Sequence, residues 1–205
     1  MSRKPRNQIL FDGCFAHVFS KSCDKKHVFQ TTSDFEFFKA LLLKIKKEYG
    51  FLIHHYCLMN THFHMAVSLP SLHRFSQALK KLKWHYSRYH NQNAKQEGTI
   101  WKERFKSLII ENERYLYACG LYIEANPVQA GMVGRPEDWP YSSARYYVQD
   151  KKDSLVDFYE QDDALGDVDL TAHGTFTKGR VIGSELFKIQ VAEEAFTSFV
   201  CPLKK

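Results

Sequence analysis

Two histidines near the middle of the chain, His62 and His64, have a spacing that could bind a metal ion. They lie in the stretch YCLMNTHFHMAV, among apolar residues typical of a β-strand. Side chains alternate between the faces of a strand, so these two imidazoles point the same way, about 6 to 7 Å apart. At this separation they could bind one divalent cation together. His54 and His55 are adjacent in sequence, so a regular strand would turn them to opposite faces.

A second group of candidate residues lies in the stretch YIEANPVQAGMV. Tyr122 and Asn126 are four residues apart, which places them on one face of a helix. Asn126 could supply an amide oxygen as a third metal ligand. The phenol of Tyr122 has an ordinary pKa near 10, so it becomes a good nucleophile only beside a positive charge or a metal-polarised phosphate. Tyr115 and Tyr117 are the alternative nucleophiles, but Tyr117 is off the Asn126 face and Tyr115 is nearly three turns away.

Each of these patterns also has a purely structural interpretation. A histidine on an apolar strand often makes only a hydrogen bond in the core, and tyrosines at helical spacing usually pack against other side chains. Four hypotheses therefore stand side by side: a metal-dependent enzyme, a non-cleaving nucleic-acid-binding protein of the same fold, a metal hydrolase that uses water, and a structural protein. Only the first needs all four candidate residues, and the hydrolase would need more carboxylate ligands nearby.

The elements that must position these residues can be predicted from periodicity. The stretches CFAHVFSK and KHVFQ have strand character, and SDFEFFKALLLKIKKEYG predicts a helix. For this helix, Ser33 is the expected N-cap with Glu36 at the third helical position, and Gly50 ends it. FLIHHYCLM and HFHMAVSL predict two strands joined by a tight turn. A long basic helix, SLHRFSQALKKLKWHYSRYHNQN, and a further strand, RFKSLIIEN, follow.

The helix ERYLYACGLYIEANP is expected to end at Asn126-Pro127, because the residue before a proline is pushed out of helical geometry. The resulting order of strands and helices predicts a ferredoxin-like α+β fold, an antiparallel sheet covered on one face by helices. We assign this domain to residues 1–147. Residues 148–205 are then an acidic linker and a C-terminal helical tail.

Charge is distributed unevenly along the chain, which carries a net +6 at pH 7. Residues 150–170 hold eight acidic side chains and two lysines, whereas residues 71–106 hold nine Lys or Arg and only two acids. A concentrated basic surface indicates a polyanionic partner, most often nucleic acid. The five cysteines form no CxxC pair, and no apolar stretch is long enough for a membrane helix or resembles a signal peptide. These features predict a cytoplasmic protein without a membrane partner.

Taken together, the motifs resemble the HUH single-tyrosine transposases, in particular the branch of REP-associated tyrosine transposases (RAYT). The stretches LMNTHFHMAV, IWKERFKSLII, YIEANPVQAGMV and WPYSSARYY follow the order of that family over roughly residues 9 to 147. The chain departs from the family at Asn60-Thr61, where a proline or small residue followed by asparagine is common. The acidic segment at 150–170 is a second departure, since the catalytic core of the family has no use for it.

The resemblance implies an HUH endonuclease fold and a metal-dependent DNA transesterase. His62, His64 and Asn126 would bind Mg²⁺ or Mn²⁺, and Tyr122 would attack single-stranded DNA to form a 5′-phosphotyrosine link. The substrates would be REP-like palindromic elements folded into hairpins, and the enzyme would act as a monomer or a homodimer. DNA contacts would come from an N-terminal arm, the basic helix and the tryptophan-containing loop: Arg3, Lys4, Arg6, Lys80, Lys81, Lys83, Arg88, Trp101, Arg104 and Lys106.

Overall fold

The computed structural model describes residues 10–159 and 181–182, which form five strands and four α-helices. The strands are β1 (Cys14–Lys21), β2 (Leu52–Met59), β3 (His62–Leu69), β4 (Lys106–Ile110) and the two-residue β5 (Val181–Ile182). The helices are α1 (Thr32–Tyr49), α2 (Leu72–Ala94), α3 (Glu113–Gln129) and α4 (Ala144–Gln149). Residues 1–9, 160–180 and 183–205, which include most of the predicted N-terminal arm and of the predicted C-terminal tail, lie outside the described residues.

The strands form one sheet in the order β2-β3-β1-β4-β5. The first four are antiparallel to their neighbours, and β5 runs parallel to β4. This arrangement confirms the predicted α+β class with an antiparallel sheet. The register places Lys21 opposite His62 and Phe19 opposite His64. Because side chains alternate along each strand, these four residues share one face of the sheet.

Helices cover both faces of the sheet, whereas the sequence predicted helices on one face only. Helices α1 and α2 pack on the face that carries Phe63, Met65 and Val67, in the larger part of the core. Helix α3 packs on the opposite face, against Cys57 and Ala66. Its apolar residues Leu116, Cys119 and Ile123 recur at helical spacing and are buried there. The face that carries the two candidate histidines is therefore the face beneath α3.

The boundaries of α1 show how local chemistry ends a helix. Gly50 ends it in the left-handed conformation at φ 73°, as predicted. The predicted N-cap is wrong, because the helix begins two residues earlier with Thr31 as N-cap. Thr31 and Asp34 form a capping box, in which each side chain accepts a hydrogen bond from the backbone N–H of the other.

The predicted strand KHVFQ is also wrong, since the N–H groups of Val28 and Phe29 donate to the carbonyl of Asn60 in the β2–β3 turn.

Helix α3 continues through Pro127 to Gln129, so the prediction that it ends at Asn126-Pro127 is wrong. A proline inside a helix leaves the carbonyl four residues earlier without its usual N–H donor. Here that carbonyl belongs to Ile123, and the side-chain Nδ2 of Asn126 donates to it at 3.1 Å. The same Nδ2 donates to the carbonyl of Tyr122 at 2.9 Å. Asn126 thus replaces the donor that the proline lacks, and the helix continues.

A β-bulge changes the expected directions of His54 and His55. The register between β2 and β3 shifts between Ile53 and His55, which inserts an extra residue. His54 Nε2 lies 2.6 Å from Ser68 Oγ, and His55 Nδ1 lies 2.9 Å from Glu124 Oε1 on α3. Both imidazoles therefore lie on the α3 face, although a regular strand would turn them apart. Each has a separate partner, and neither belongs to the His62–His64 pair.

The first part of the acidic segment is structural. Asp153 accepts a hydrogen bond from the Tyr56 hydroxyl at 2.5 Å, and Asp157 forms an ion pair with Lys46 at 2.7 Å. Leu155 between them is fully buried, and its carbonyl accepts a hydrogen bond from Lys46 Nζ. Two of the eight acids of the segment thus attach the chain after α4 to α1 and β2.

Candidate active site

His62 and His64 lie side by side at one end of the sheet, as their spacing predicted. Their ring centres are 5.0 Å apart and the rings are nearly perpendicular. His62 is half-buried and hydrogen-bonds to Thr61 through Nδ1 at 2.8 Å. His64 is buried, and the Phe19 ring stacks on it at 5.5 Å. The pair therefore has one partly exposed imidazole beside one that the protein encloses.

Helix α3 brings Tyr122 to this pair within the same chain. The tyrosine ring is 6.4 Å from the ring of His64, centre to centre, and meets it edge-on. Burial raises the pKa of the Tyr122 phenol, so the group is protonated at neutral pH. Asn126 lies one turn further along α3, on the same side of the helix. Its Nδ2 is used in the two backbone hydrogen bonds described above, which makes Oδ1 the atom that could bind a cation.

The two histidines have the protonation state that a metal ligand requires. Burial lowers the pKa of His62 to about 4 and that of His64 well below its usual value. Both are therefore neutral at pH 7, with a nitrogen lone pair for a cation. Within residues 10–159, no group of three or more His, Cys, Asp or Glu side chains is arranged to hold a metal ion. The donor atoms present, two imidazole nitrogens and the Oδ1 of Asn126, are of kinds that a divalent cation accepts as ligands, and Mg²⁺ commonly completes its shell with water or substrate oxygens.

A third imidazole, which no sequence motif indicated, lies beside the pair. His17 on β1 is fully buried, and its Nε2 lies 2.8 Å from Nδ1 of His64. Its ring is also 6.1 Å from the Tyr122 ring, centre to centre. The only sequence signal was its position on the same strand face as Phe15 and Phe19. The contact with His64 depends on strand register, because 47 residues separate the two histidines.

These buried neutral histidines predict an unusual pH dependence of stability. Burial lowers the pKa of His17 to about 3, so the folded protein keeps His17, His62 and His64 neutral at pH 5. The unfolded chain, however, binds protons at all three below about pH 6.5. Unfolding is therefore favoured as the pH falls, and the loss of stability from pH 8 to 5 is expected to be about 2 kcal/mol each for His17 and His62, with a loss in the same direction for His64.

Urea unfolding of the metal-free protein at pH 8 and pH 5 measures this loss. The variant His17→Phe removes one of the three titrating groups and keeps an aromatic ring in the core. Its loss of stability should be smaller than that of the wild type by about 2 kcal/mol. Equal losses in the two proteins would contradict the assignment of His17 as a buried neutral imidazole.

The basic residues predicted to contact DNA have different environments. Lys80, Arg88 and Arg104 are exposed. Lys81 pairs with Glu48 at 2.6 Å, and Lys106 pairs with Glu103 at 3.0 Å. Lys83 donates a hydrogen bond to the carbonyl of Glu103 at 2.6 Å. Their contacts with DNA remain predictions, and Arg3, Lys4 and Arg6 lie outside the described residues.

The structure changes the predicted set of DNA-contacting residues at two positions. The structure contradicts the expectation that Trp101 stacks on an unpaired base, because its side chain is 5% exposed and packs against the rings of Phe29 and Phe63. Lys21, which the sequence reading missed, is exposed and lies directly opposite His62 in the sheet. It brings a positive charge to the edge of the histidine pair.

An antiparallel sheet that presents a His-x-His pair to a tyrosine-bearing helix is the arrangement of the HUH single-tyrosine transposase class. The family model described as "Transposase IS200 like" matches residues 11–126, more than half of the 205-residue chain. The chain therefore belongs to this transposase family.

Two of the comparisons match REP-associated tyrosine transposases. The REP-associated tyrosine transposase of Escherichia coli K12 is 27% identical over 113 residues, which cover 55% of this chain and 66% of the relative, slightly less than two thirds of its length. A solved structure of a REP-associated tyrosine transposase bound to a REP hairpin matches with a TM-score of 0.61 at 21% identity. It covers 82% of this chain and 98% of the other, and likeness at this identity shows the shared fold. The predicted resemblance to the RAYT branch is confirmed.

Within the described residues, no helix is both long and apolar enough to cross a membrane.

Proposed function

We propose that this protein is a metal-dependent endonuclease and strand transferase that acts on single-stranded DNA carrying a hairpin. The observation that carries the proposal is the meeting of His62 and His64 with Tyr122 at one end of the sheet, within a single chain. Two neutral imidazoles and a phenol that meet beside the half-buried His62 are the groups that a metal-dependent transesterase needs, which favours this function over a purely structural role. The hairpin is inferred from the relative that was solved bound to a REP hairpin.

The proposed reaction assigns metal binding and nucleophilic attack to different residues of the chain. His62, His64 and the Oδ1 of Asn126 would hold Mg²⁺ or Mn²⁺. A cation bound there would polarise the scissile phosphate and orient it towards α3. The phenol of Tyr122 loses its proton as its oxygen bonds to phosphorus, and the bond from phosphorus to the 3′ oxygen breaks. The products are a 5′-phosphotyrosine link and a 3′-hydroxyl, which takes up a proton as it leaves.

The covalent link explains how strands could be rejoined without an external energy source. Attack by a 3′-hydroxyl on the phosphotyrosine reverses the first step and releases Tyr122. Because the tyrosine and both histidines come from the same chain, one copy contains all of these groups. We therefore propose that Tyr122 serves the site of its own chain and that a monomer is sufficient for cleavage.

The test uses an end-labelled oligonucleotide in which a palindromic repeat of the host genome forms a hairpin with single-stranded flanks. It is incubated with the protein and Mn²⁺, Mg²⁺ or EDTA, and the products are separated on a denaturing gel before and after protease treatment. We expect a metal-dependent, protease-sensitive adduct between protein and DNA. Cleavage without an adduct would indicate a water nucleophile. Tight binding without cleavage of several hairpins would indicate a non-cleaving hairpin-binding protein instead.

A further inference from the structure

Helix α2 carries a one-sided excess of positive charge. Its 23 residues contain five cations, at 74, 80, 81, 83 and 88, and no aspartate or glutamate. The helix packs into the core through Phe75, Leu79, Leu82 and Tyr86, so its opposite side faces solvent. Lys81 pairs with Glu48 of α1, and the other cations of this acid-free helix leave its solvent side complementary to a polyanion.

A tryptophan lies in the middle of this surface. Trp84 is 52% exposed, which is unusual for a side chain of this size. Lys80 and Arg88 are one turn before and one turn after it, so the three residues form a stripe along the helix. The Arg88 guanidinium lies over the Trp84 ring at 4.9 Å from its centre. The stripe thus combines an exposed indole with a cation on each side.

The loop between α2 and β4 connects the stripe to the candidate active site. Next to Trp84, Lys83 Nζ donates to the carbonyl of Glu103 in this loop. The backbone N–H of Lys102, in the same loop, donates to the carbonyl of Lys21 at 3.0 Å. Lys21 in turn is the cross-strand neighbour of His62. The half-buried Lys83 and the exposed Lys102 and Lys21 therefore lead from α2 around the end of the sheet to the histidine pair, although α2 and α3 lie on opposite faces.

We propose that Lys80, Trp84 and Arg88 bind the single-stranded DNA that flanks the cleavage point, with the Trp84 indole stacked on an unpaired base. The two cations contact phosphates on either side of that base. Single-stranded DNA is favoured as the partner because its bases have faces available for stacking, whereas the bases of a duplex are already stacked on one another. This proposal rests on the proposed function, since it assumes that the chain binds DNA at the histidine site.

Binding is measured with the Tyr122→Phe protein, so that cleavage cannot remove the ligand and the result does not depend on whether the wild type cuts. The probe is an unstructured oligothymidylate labelled with a fluorophore. Trp84→Ala is expected to weaken binding about 5- to 150-fold, the range for loss of one stacked base. The control variant Phe158→Ala removes another exposed aromatic side chain away from α2 and should bind like the parent. Unchanged affinity in Trp84→Ala would overturn the proposal.

A second measurement separates stacking from charge. The intrinsic fluorescence of the protein should be quenched by oligothymidylate, and most of this quenching should disappear in Trp84→Phe, because Trp101 is buried and Trp139 is half-buried. Lys80→Gln combined with Arg88→Gln should reduce the slope of log affinity against log salt by about 1.4, as expected for two lost phosphate contacts. Equal loss of affinity for blunt duplex DNA in Trp84→Ala would overturn the stacking role.

A different observation supports a second inference, about His17. Because Nδ1 of His64 is in contact with His17, only Nε2 of His64 could bind a cation. That nitrogen has a lone pair only when the proton of His64 is on Nδ1, where it donates to Nε2 of His17. We infer that His17 is a positioning residue, which selects the tautomer and the ring orientation of His64. Among the described residues, the other nitrogen of His17, Nδ1, is buried without a hydrogen-bond partner, so the contact with His64 is the hydrogen bond that this ring makes there.

Long-range ¹H–¹⁵N NMR spectra report the tautomer directly. We expect the wild type with bound Mg²⁺ to show a protonated Nδ1 and an unprotonated Nε2 at His64. His17→Phe should weaken Mn²⁺ binding about 10- to 100-fold, as measured by electron paramagnetic resonance. His17→Gln, which offers an amide oxygen as acceptor, should recover part of the affinity. A protonated Nε2 in the wild type, or full Mn²⁺ affinity in His17→Phe, would overturn the inference.

Discussion

Tyr122→Phe is expected to reduce formation of the protein–DNA adduct at least about 1,000-fold, since removal of a catalytic nucleophile has effects of this size or larger. The substitution removes only the phenol oxygen. The ring that lies edge-on to His17 and His64 remains in place. Stability and affinity for hairpin DNA should therefore be nearly unchanged, while cleavage and the adduct are lost together.

The matched control is Tyr115→Phe. Tyr115 is on the same helix, about two turns before Tyr122, and it packs at the edge of the same apolar cluster. The same atom is removed, but far from the histidine pair, so the control should retain the adduct. An adduct that persists in Tyr122→Phe and disappears in Tyr115→Phe would show that Tyr115, and not Tyr122, is the nucleophile. Cleavage that persists in both would exclude a tyrosine nucleophile at either position.

Gly120→Ala is expected to destabilise the protein by about 1–3 kcal/mol, the usual cost of excess volume in a packed core. A Cβ added at this position would overlap the ring of His55. That ring cannot easily move, because it is hydrogen-bonded to Glu124 and in contact with the Tyr159 hydroxyl. It is also stacked on the Tyr147 ring, with 4.5 Å between the ring centres. Alanine is the better helix former by about 1 kcal/mol, but the overlap is expected to exceed this gain.

Urea unfolding gives the measurement, and Gly134→Ala is the control. A Cβ at Gly134 has no heavy atom within 4 Å, so this variant should remain within about 0.5 kcal/mol of the wild type. The Gly120 variant should also lose adduct formation, since α3 must move away from β2 and takes Tyr122 with it. A Gly120→Ala protein as stable as the wild type would show that α3 is packed less closely on His55 than the structure has it.

Local patterns were sufficient to predict most of the elements. The alternation of HFHMAV placed His62 and His64 on one strand face, and the spacing of four placed Tyr122 and Asn126 on one helix face. Gly50 ends α1 because a left-handed residue is needed there, which is a property of the residue itself. Each of these predictions depends only on residues that are close together along the chain, and the sequence shows such residues directly.

The predictions from local sequence were wrong where a second interaction of similar strength opposes the local preference of the backbone. The backbone effect of Pro127 should end a helix, but the Asn126 side chain supplies the missing donor. The alternation rule should separate His54 from His55, but a bulge between Ile53 and His55 makes His54 an extra residue in the strand. In both cases a single hydrogen bond or a one-residue shift reverses the local preference, and neither could be read from periodicity.

Long-range contacts were decided by tertiary structure alone. The register of β1 against β3 brings His17 to His64, and the packing of α2 buries Trp101 while it exposes Trp84. Such contacts join residues tens of positions apart, so they depend on which elements pack together and in what register. The types and local spacing of the candidate catalytic residues were thus present in the sequence. Their meeting at one end of the sheet, and the positions of the groups that support them, follow from the fold.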